Sequence, residues 1–365
     1  MSEPILALRN IRKLYGDHVA VDDVSIELSK GEFLTLLGPS GSGKTTTLLM
    51  IAGLVAPTRG LMLLEGKPLN PLPPYRRNVG VVFQNYALFP HMTVARNIAF
   101  PLEMRNMPRG DVREKVAKAL NLVGLSGYED RYPRQLSGGQ QQRIAFARAM
   151  VFEPRLLLMD EPLGALDKKL RAQMQLEITR LHRDLGISII YVTHDQEEAL
   201  AMSDRIAVFD QGRIAQIGSP DVLYKNPNSR FVADFLGESN FFAGTVRDVA
   251  EGVGLVEGRI GRMRARIGDA MEPGARVIVT VRPENMRIGS ASTPAKSENQ
   301  LFGTVRDVIY LGQSQKYVVR LKEALDVLVF QPSLVRGEPP LKPGDTVSLN
   351  WSAEDATTLR DDQES

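Results

Sequence analysis

The pattern of apolar and polar positions changes character along the chain. Between residues 5 and 37 it is strand-like. Ile5-Leu6-Ala7-Leu8, Val24-Ser25-Ile26-Glu27-Leu28 and Phe33-Leu34-Thr35-Leu36-Leu37 read as strands, the middle one alternating as a sheet with one covered face demands. Tyr15-Gly16 falls in the loop between the first two. Thr45 to Leu54 is helical in pattern and stops at Gly53 or Pro57, and Val79 to Phe83 is a short apolar strand that ends at Gln84. From 85 to about 150 helical spacing replaces strands: Val112, Val116, Ala119, Leu120 and Val123 share one face, closed by Gly124 as a C′ residue. Leu156-Leu157-Leu158-Met159-Asp160 is a buried strand, Asp167 to Asp184 a helix, and Ser188 to Val192 another strand. Ile206–Phe209 and Arg213–Ile217 form a hairpin around Asp210-Gln211-Gly212. Strands alternating with helices predict a parallel α/β sheet, with 85–150 as a helical insertion.

After about Leu236 the helical signal disappears, and short β segments broken by Gly and Pro follow. Gly244-Thr245-Val246-Arg247-Asp248-Val249 recurs as Gly303-Thr304-Val305-Arg306-Asp307-Val308. Pro273-Gly274 with Val277 and Glu284 is echoed by Pro343-Gly344 with Val347 and Glu354. An identity followed by an in-order echo predicts duplication, hence a β-barrel-like domain of two similar lobes joined through Ser290 to Asn299.

Composition adds boundaries. The 365 residues suit about two domains, and 43% hydrophobic with 24% charged residues is ordinary for a globular chain. A formal charge of +2 gives no case for nucleic acid or an anionic membrane as partner. The absence of cysteine excludes disulfides and thiolate chemistry, and fits a reducing compartment. No secretory signal is visible at Met1 to Asn10, and Leu48 to Ala56 is far short of the roughly 20 residues of a membrane span. A role at a membrane would need other chains to hold this one there.

The sharpest motif is Gly38-Pro39-Ser40-Gly41-Ser42-Gly43-Lys44-Thr45, between a strand-like run and a helix-like one. Its glycines let successive N–H groups face a phosphate, and the following helix start adds partial positive charge. Lys44 would reach the β- and γ-phosphates and Thr45 would ligate Mg²⁺. Asp160 and Glu161 close an apolar strand and point different ways, so one can stand behind a metal while the other polarises water. Leu136-Ser137-Gly138-Gly139-Gln140 starts a second helix with a good N-cap and uncovered backbone N–H groups.

Together the LSGGQ run, the phosphate loop, LLLMDE and a histidine at 194 resemble the ATP-binding cassette family over residues 5 to about 236. The resemblance implies a P-loop NTPase core of ABC type (1–236) followed by an all-β OB-like domain (237–365). It implies ATP and Mg²⁺ as ligands and a homodimer in which each signature loop faces the γ-phosphate held by the other copy. Tyr15 resembles the aromatic that stacks on adenine. Gly38 to Thr45, with Thr46 beside them, resemble the phosphate cradle. Thr45, Gln84 and Asp160 match the metal side, and Glu161, with Gln84 and His194, the catalytic group. Ser137, Gly138, Gly139 and Gln140 match the contacts to the partner's nucleotide, and Asp167 the acid of the loop that crosses between subunits.

Two positions depart from the family pattern. Gly164 stands where serine is usual, removing a hydroxyl from the crossing loop. Arg96 stands where glutamate is common, so Thr93 has no capping-box partner. The C-terminal region, with Arg282-Pro283-Glu284, resembles the accessory domain of importer ATPases. GALDKKLR at 164–171, GESNFF at 237–242 and NWSAED at 350–355 look most like polyamine (putrescine/spermidine) transport ATPases, with ferric-iron and sugar importers as alternatives. The resemblance thus implies separate transmembrane permease subunits, an extracytoplasmic solute-binding protein acting indirectly, and a peripheral position on the cytoplasmic face of the cell membrane. The aromatic segment from Gln84 to Pro101 is the expected groove for a permease helix. A soluble cassette protein and a ligand-sensing β module are the readings from other classes.

Overall fold

The computed structural model describes residues 3–164, 166–268, 271–291, 297–333 and 341–361. The chain divides into two compact units, Met1–Pro220 and Asp221–Ser365.

The first unit opens with β1 (Leu6–Tyr15) and β2 (His18–Leu28), an antiparallel pair that brings Tyr15 opposite His18 at its tight end. β3 (Phe33–Leu37) leads through the glycine-rich loop into α1 (Lys44–Ala52), and β4 (Arg59–Leu64), β5 (Lys67–Pro68) and β6 (Val79–Val82) follow. α2 (Val94–Glu103), α3 (Arg109–Leu122) and α4 (Gly138–Met150) are the expected helical insertion. β7 (Leu156–Asp160), α5 (Lys168–Leu185), β8 (Ser188–Thr193), α6 (Gln196–Met202), β9 (Arg205–Asp210) and β10 (Arg213–Gly218) complete the unit. The main sheet runs β10-β9-β3-β8-β7-β6, parallel except for the β9–β10 hairpin, and a second, antiparallel sheet runs β2-β1-β4-β5.

Alternation along the central strands sorts side chains between two cores. Leu156, Leu158, Ile190 and Val192 pack with α1 and the antiparallel sheet. Leu157, Met159, Ile189 and Tyr191 pack with the helical insertion. Covered on both faces, β3 and β8 are buried at every position, which is why they read as apolar runs. The face expected on α3 is also found: Val112, Val116, Ala119 and Leu120 are buried, and Gly124 has φ +66°. β4 and β5 had no counterpart in the sequence reading, because Arg59, Gly60 and Leu61 are exposed and show no alternation. The C-terminus of α1 is closed by a distant residue, Arg77, which donates to the carbonyls of Met50 (2.7 Å) and Ile51 (2.9 Å). Gly53 makes room for it, since a Cβ there would lie 2.5 Å from Arg77 Nε.

The second unit contains α7 (Pro220–Lys225, its first residue belonging to the first unit) and α8 (Arg230–Phe235), then strands. These are β11 (Asn240–Ala250), β12 (Val253–Gly258), β13 (Gly261–Arg266), β14 (Arg276–Val281), β15 (Arg287–Ser290), β16 (Asn299–Tyr310), β17 (Ser314–Leu321), β18 (Asp326–Pro332), β19 (Thr346–Trp351) and β20 (Ala356–Arg360). The repeated sextets occupy matching places in β11 and β16, and each pairing slips register at the same repeat position, Val246/Asp248 and Val305/Asp307. The glycine that opens each sextet is needed for the same reason: a Cβ on Gly244 or Gly303 would lie 2.6 Å from Val256 or Val319 of the next strand.

The lobes are not separate, however. They exchange their last strands, giving a closed barrel β11-β12-β13-β20-β14 and a sheet β15-β19-β16-β17-β18. One core serves both, with Phe242 of the first repeat stacked on Trp351 of the second, ring centroids 6.1 Å apart. Of the expected connection at 290–299, residues 292–296 lie outside the described residues. The stretch 221–235, placed before the expected boundary at 236, groups with the β unit. Arg282 explains this by donating to the carbonyls of Ala233 (2.8 Å), Gly237 (2.8 Å) and Tyr224 (3.2 Å) and to Ser239 Oγ (2.7 Å). Among the described residues no helix is long and apolar enough to cross a membrane.

Candidate functional site

β3, β8 and β7 lie side by side and parallel, so the residues that follow them emerge at one edge of the sheet: Leu37 pairs with Thr193 and Asp160 with Val192. That edge, the carboxyl end of a parallel sheet, is where ligands enter such folds. Tight packing enforces the loop after β3. A Cβ on Gly38 would lie 2.5 Å from the Phe209 carbonyl, and one on Gly43 2.5 Å from that of Ala20, while Gly41 and Gly43 hold φ of +80° and +99°. Gly43 N-caps α1 with no side chain to cover the first N–H groups, which leaves them available to an anion. Lys44 is buried, and its ammonium donates to the carbonyls of Gly38 and Pro39, each at 2.8 Å. Burial lowers its pKa, while the charges of Glu161 and Asp160 raise it in part.

These residues line a cavity of about 330 Å³. Its wall runs from Tyr15, His18 and Ala20 past Ser40, Gly41, Gly43, Lys44, Thr45 and Thr46 to Glu161. Tyr15 is half exposed, and Lys13 Nζ lies 4.8 Å from its ring centroid. His18 and Ala20 were not singled out from the sequence. No motif marks them, and they arrive through the β1–β2 pairing.

At the far end stand the two acids. Thr45 Oγ1 donates to Asp160 Oδ1 at 2.9 Å. Burial raises the pKa of Asp160 and the Glu161 charge adds to this, against the lowering effect of the Thr45 hydrogen bond. Glu161 has φ +43°, left-handed for a residue with a Cβ, and its N–H donates to the Val192 carbonyl at 2.9 Å. The turn brings its carboxylate to two other candidates: Gln84 Nε2 donates to Glu161 Oε2 at 3.3 Å, and His194 Nδ1 lies 3.3 Å from the same oxygen. Gln84, Glu161 and His194 thus converge on one atom. A Cβ on Gly164 would stand 3.8 Å from Gln84 Nε2, so the departure from serine leaves open space beside this group.

Ser137 N-caps α4 in a reciprocal box: its Oγ accepts from Gln140 N (3.4 Å), and its own N–H donates to Gln140 Oε1 (3.0 Å). Thr93 also N-caps its helix, accepting from Arg96 N at 3.4 Å, but without a returning side chain. Gly138 and Gly139 abut Leu166 and Leu170, on either side of Asp167, which N-caps α5 by accepting from Leu170 N at 3.0 Å. Ser137, Gly138, Gly139 and Gln140 form no part of the cavity wall that holds Lys44 and Glu161. Within one chain the structure gathers the cradle and the carboxylate end and leaves the signature residues apart. In the aromatic segment 84–101, Tyr86 is buried in the core with the helical insertion, while the half-buried rings of Phe89 and Phe100 meet at a tilt, centroids 4.8 Å apart.

A phosphate cradle at the first parallel βα turn, an acidic pair at the end of a neighbouring strand, and a helical insertion that begins α4 with Ser-Gly-Gly-Gln define an ATP-binding cassette. The comparisons agree. The ABC transporter family model matches residues 21–164, and the TOBE domain model matches 279–359. The spermidine/putrescine import ATP-binding protein of Rubrobacter xylanophilus is 49% identical over 95% of this chain and 91% of its own length. That of Thermobifida fusca is 46% identical over 98% and 94%. Among solved structures, cbiO1 from Clostridium perfringens, part of the ABC transporter complex cbiONQ, aligns with TM-score 0.55 at 28% identity over 60% of this chain and 90% of that one. The ATP-binding cassette MJ0796, in a dimeric post-hydrolysis state with ADP and Pi, aligns with TM-score 0.53 at 32% identity over 59% and 98%. The chain belongs to the ATP-hydrolysing subunits of ABC transporters.

Proposed function

We propose that the chain drives spermidine/putrescine uptake, hydrolysing ATP between two copies of itself to move separate permease subunits. Near-full-length identity to spermidine/putrescine import proteins supports the solute, and the convergence of Gln84 and His194 on Glu161 Oε2 supports the hydrolytic role. Tyr15 stacks on the adenine. The N–H groups of residues 40–46 and Lys44 receive the phosphates, the ammonium exchanging its bonds to Gly38 and Pro39 for charge-assisted ones. Thr45 and Asp160 are hard oxygen donors in contact, and a partly desolvated carboxylate is suited to a cation, so Mg²⁺ fits there with Gln84 completing the set. When bound, Mg²⁺ would neutralise charge developing on the transferred phosphoryl group. Glu161 orients and polarises the attacking water, and His194 steadies its carboxylate at the oxygen that Gln84 also holds.

Ser137, Gly138, Gly139 and Gln140 act on the nucleotide of the other copy, with Asp167 in the loop that crosses between them. Moving an open–closed equilibrium from 1:99 to 99:1 needs about 5.5 kcal/mol of differential binding. Shared by two sites, that is about 2.7 kcal/mol each, within reach of one or two charge-assisted hydrogen bonds to a γ-phosphate at about 1.5–3 kcal/mol. ADP lacks that group, so hydrolysis reopens the pair. A solute-binding protein acts through the permeases, and this chain sits peripherally on the cytoplasmic face of the membrane.

The reading is tested on the complex reconstituted with its permeases and solute-binding protein. Spermidine or putrescine is expected to stimulate ATP hydrolysis. Stimulation by ferric iron or a sugar instead would overturn the solute, and absence of hydrolysis under every condition would overturn the enzyme.

A further inference from the structure

Arg171 stands where two loops of the site meet. It lies in the first turn of α5, just after Asp167. Its Nη2 donates to the Leu166 carbonyl at 3.2 Å and its Nη1 to Asp195 Oδ2 at 3.0 Å. Asp195 follows His194 directly and N-caps α6, its Oδ1 accepting from Glu198 N at 3.1 Å. A third group completes the set. Glu198 is 3% exposed, and its Oε2 accepts from the hydroxyls of Tyr191 and Thr193, both at 2.8 Å, on the strand that ends just before His194.

One more of its five N–H groups faces Glu198. Arg171 Nε is buried and has no hydrogen-bond partner among the described residues, yet Glu198 Oε1 lies 3.8 Å away. That is less than about 1 Å beyond hydrogen-bonding range. In one arrangement the guanidinium thus holds the Leu166 carbonyl, the Asp195 carboxylate and, at ion-pair distance, that of Glu198, so a single side chain joins the two loops. Coupling between sites travels through contiguous contacts of this kind.

We infer that Arg171 is a positioning residue that ties the loop at Leu166-Asp167 to His194, so that displacement of that loop repositions the histidine beside Glu161. The inference rests on the ATPase reading above, in which Asp167 belongs to the loop crossing between copies. It gives one copy a route by which the state of its partner reaches its own Glu161–His194 pair. Arg171 itself is not among the residues that line the cavity.

The test uses the full-length chain and measures ATP hydrolysis against ATP concentration, with binding of a non-hydrolysable ATP analogue and Mg²⁺ in parallel. In R171M, analogue binding is expected to stay within about twofold of the parent, while kcat falls roughly tenfold or more, as a misplacement of about 1 Å can cause. In R171M/H194A, kcat is expected to match H194A within about twofold, because a residue acting through His194 has nothing left to position. Multiplicative losses in the double variant would overturn the inference. Should R171M fail to fold, R171K decides. It keeps the charge but cannot span Leu166 and Asp195, and a parental kcat would reduce Arg171 to a structural ion pair. E161Q run alongside separates the two readings. If E161Q hydrolyses ATP at the parental rate, the ATPase site is misassigned. If E161Q is inactive and R171M keeps the parental kcat, only the link fails.

Discussion

Asp160 and Glu161 are neighbours with unlike surroundings, and the backbone between them separates their tasks. Asp160 ends a buried strand with the Thr45 hydroxyl on its carboxylate, whereas Glu161 turns into a left-handed conformation and meets Gln84 and His194. A non-glycine residue held at positive φ is strained, and such strain collects at sites where a side chain must point one way. For Asp160 the cost is electrostatic. Its folded pKa lies above the ordinary carboxylate value because burial disfavours the charge. Between the unfolded and folded pKa values the folded chain binds more protons, so stability falls as pH rises through that window, and the penalty is complete above it. Asp160→Asn keeps an acceptor for Thr45 and removes the charge. Without nucleotide it is expected to melt above the parent at pH 7, the gap shrinking as pH falls below the usual carboxylate range, and to lose Mg²⁺-dependent turnover. A melting temperature equal to or below that of the parent at pH 7 would refute this electrostatic account.

At the scale of elements, local pattern and distant pairing divide the fold between them. The phosphate loop, the acidic pair and the Ser-Gly-Gly-Gln helix start could be read from the chain because each depends on neighbours in sequence. So could β3, β7 and β8, whose apolar runs follow from burial on both faces. β4 and the exchange of β15 and β20 could not, since partners remote in the chain define them. The same holds for Arg77 on α1 and for Arg171 beside Asp195 and Glu198. Arg282 shows how much one such residue carries. Removing its guanidinium strips donors from the carbonyls of Ala233 and Gly237 and loosens the hold of the barrel on α7 and α8. Arg282→Ala is expected to destabilise the second unit by about 2–4 kcal/mol. Trp351, the single tryptophan of the chain, is 3% exposed in that unit's core, so its fluorescence follows the transition in denaturant. An unchanged midpoint would mean the helices are held by other contacts.

For the whole molecule, the proposed mechanism works in pairs. One chain gathers the glycine-rich loop and Glu161 around a single cavity, with Asp160 against Thr45 of its wall, while Ser137 to Gln140 stand outside it at a capped helix start. A second copy turned to face the first would bring that start to the other's nucleotide, completing two sites at once. The second unit, with its duplicated strands around one shared core, adds a body of its own to each copy. Slowing hydrolysis without weakening binding isolates the central claim. Glu161→Gln retains the cradle, Thr45, Asp160 and an acceptor for Gln84 but removes the carboxylate proposed to polarise water. Sedimentation of this variant with millimolar Mg-ATP is expected to show a stable dimer that retains uncleaved ATP and reverts to monomer with ADP. A Glu161→Gln chain that binds ATP yet stays monomeric would contradict it.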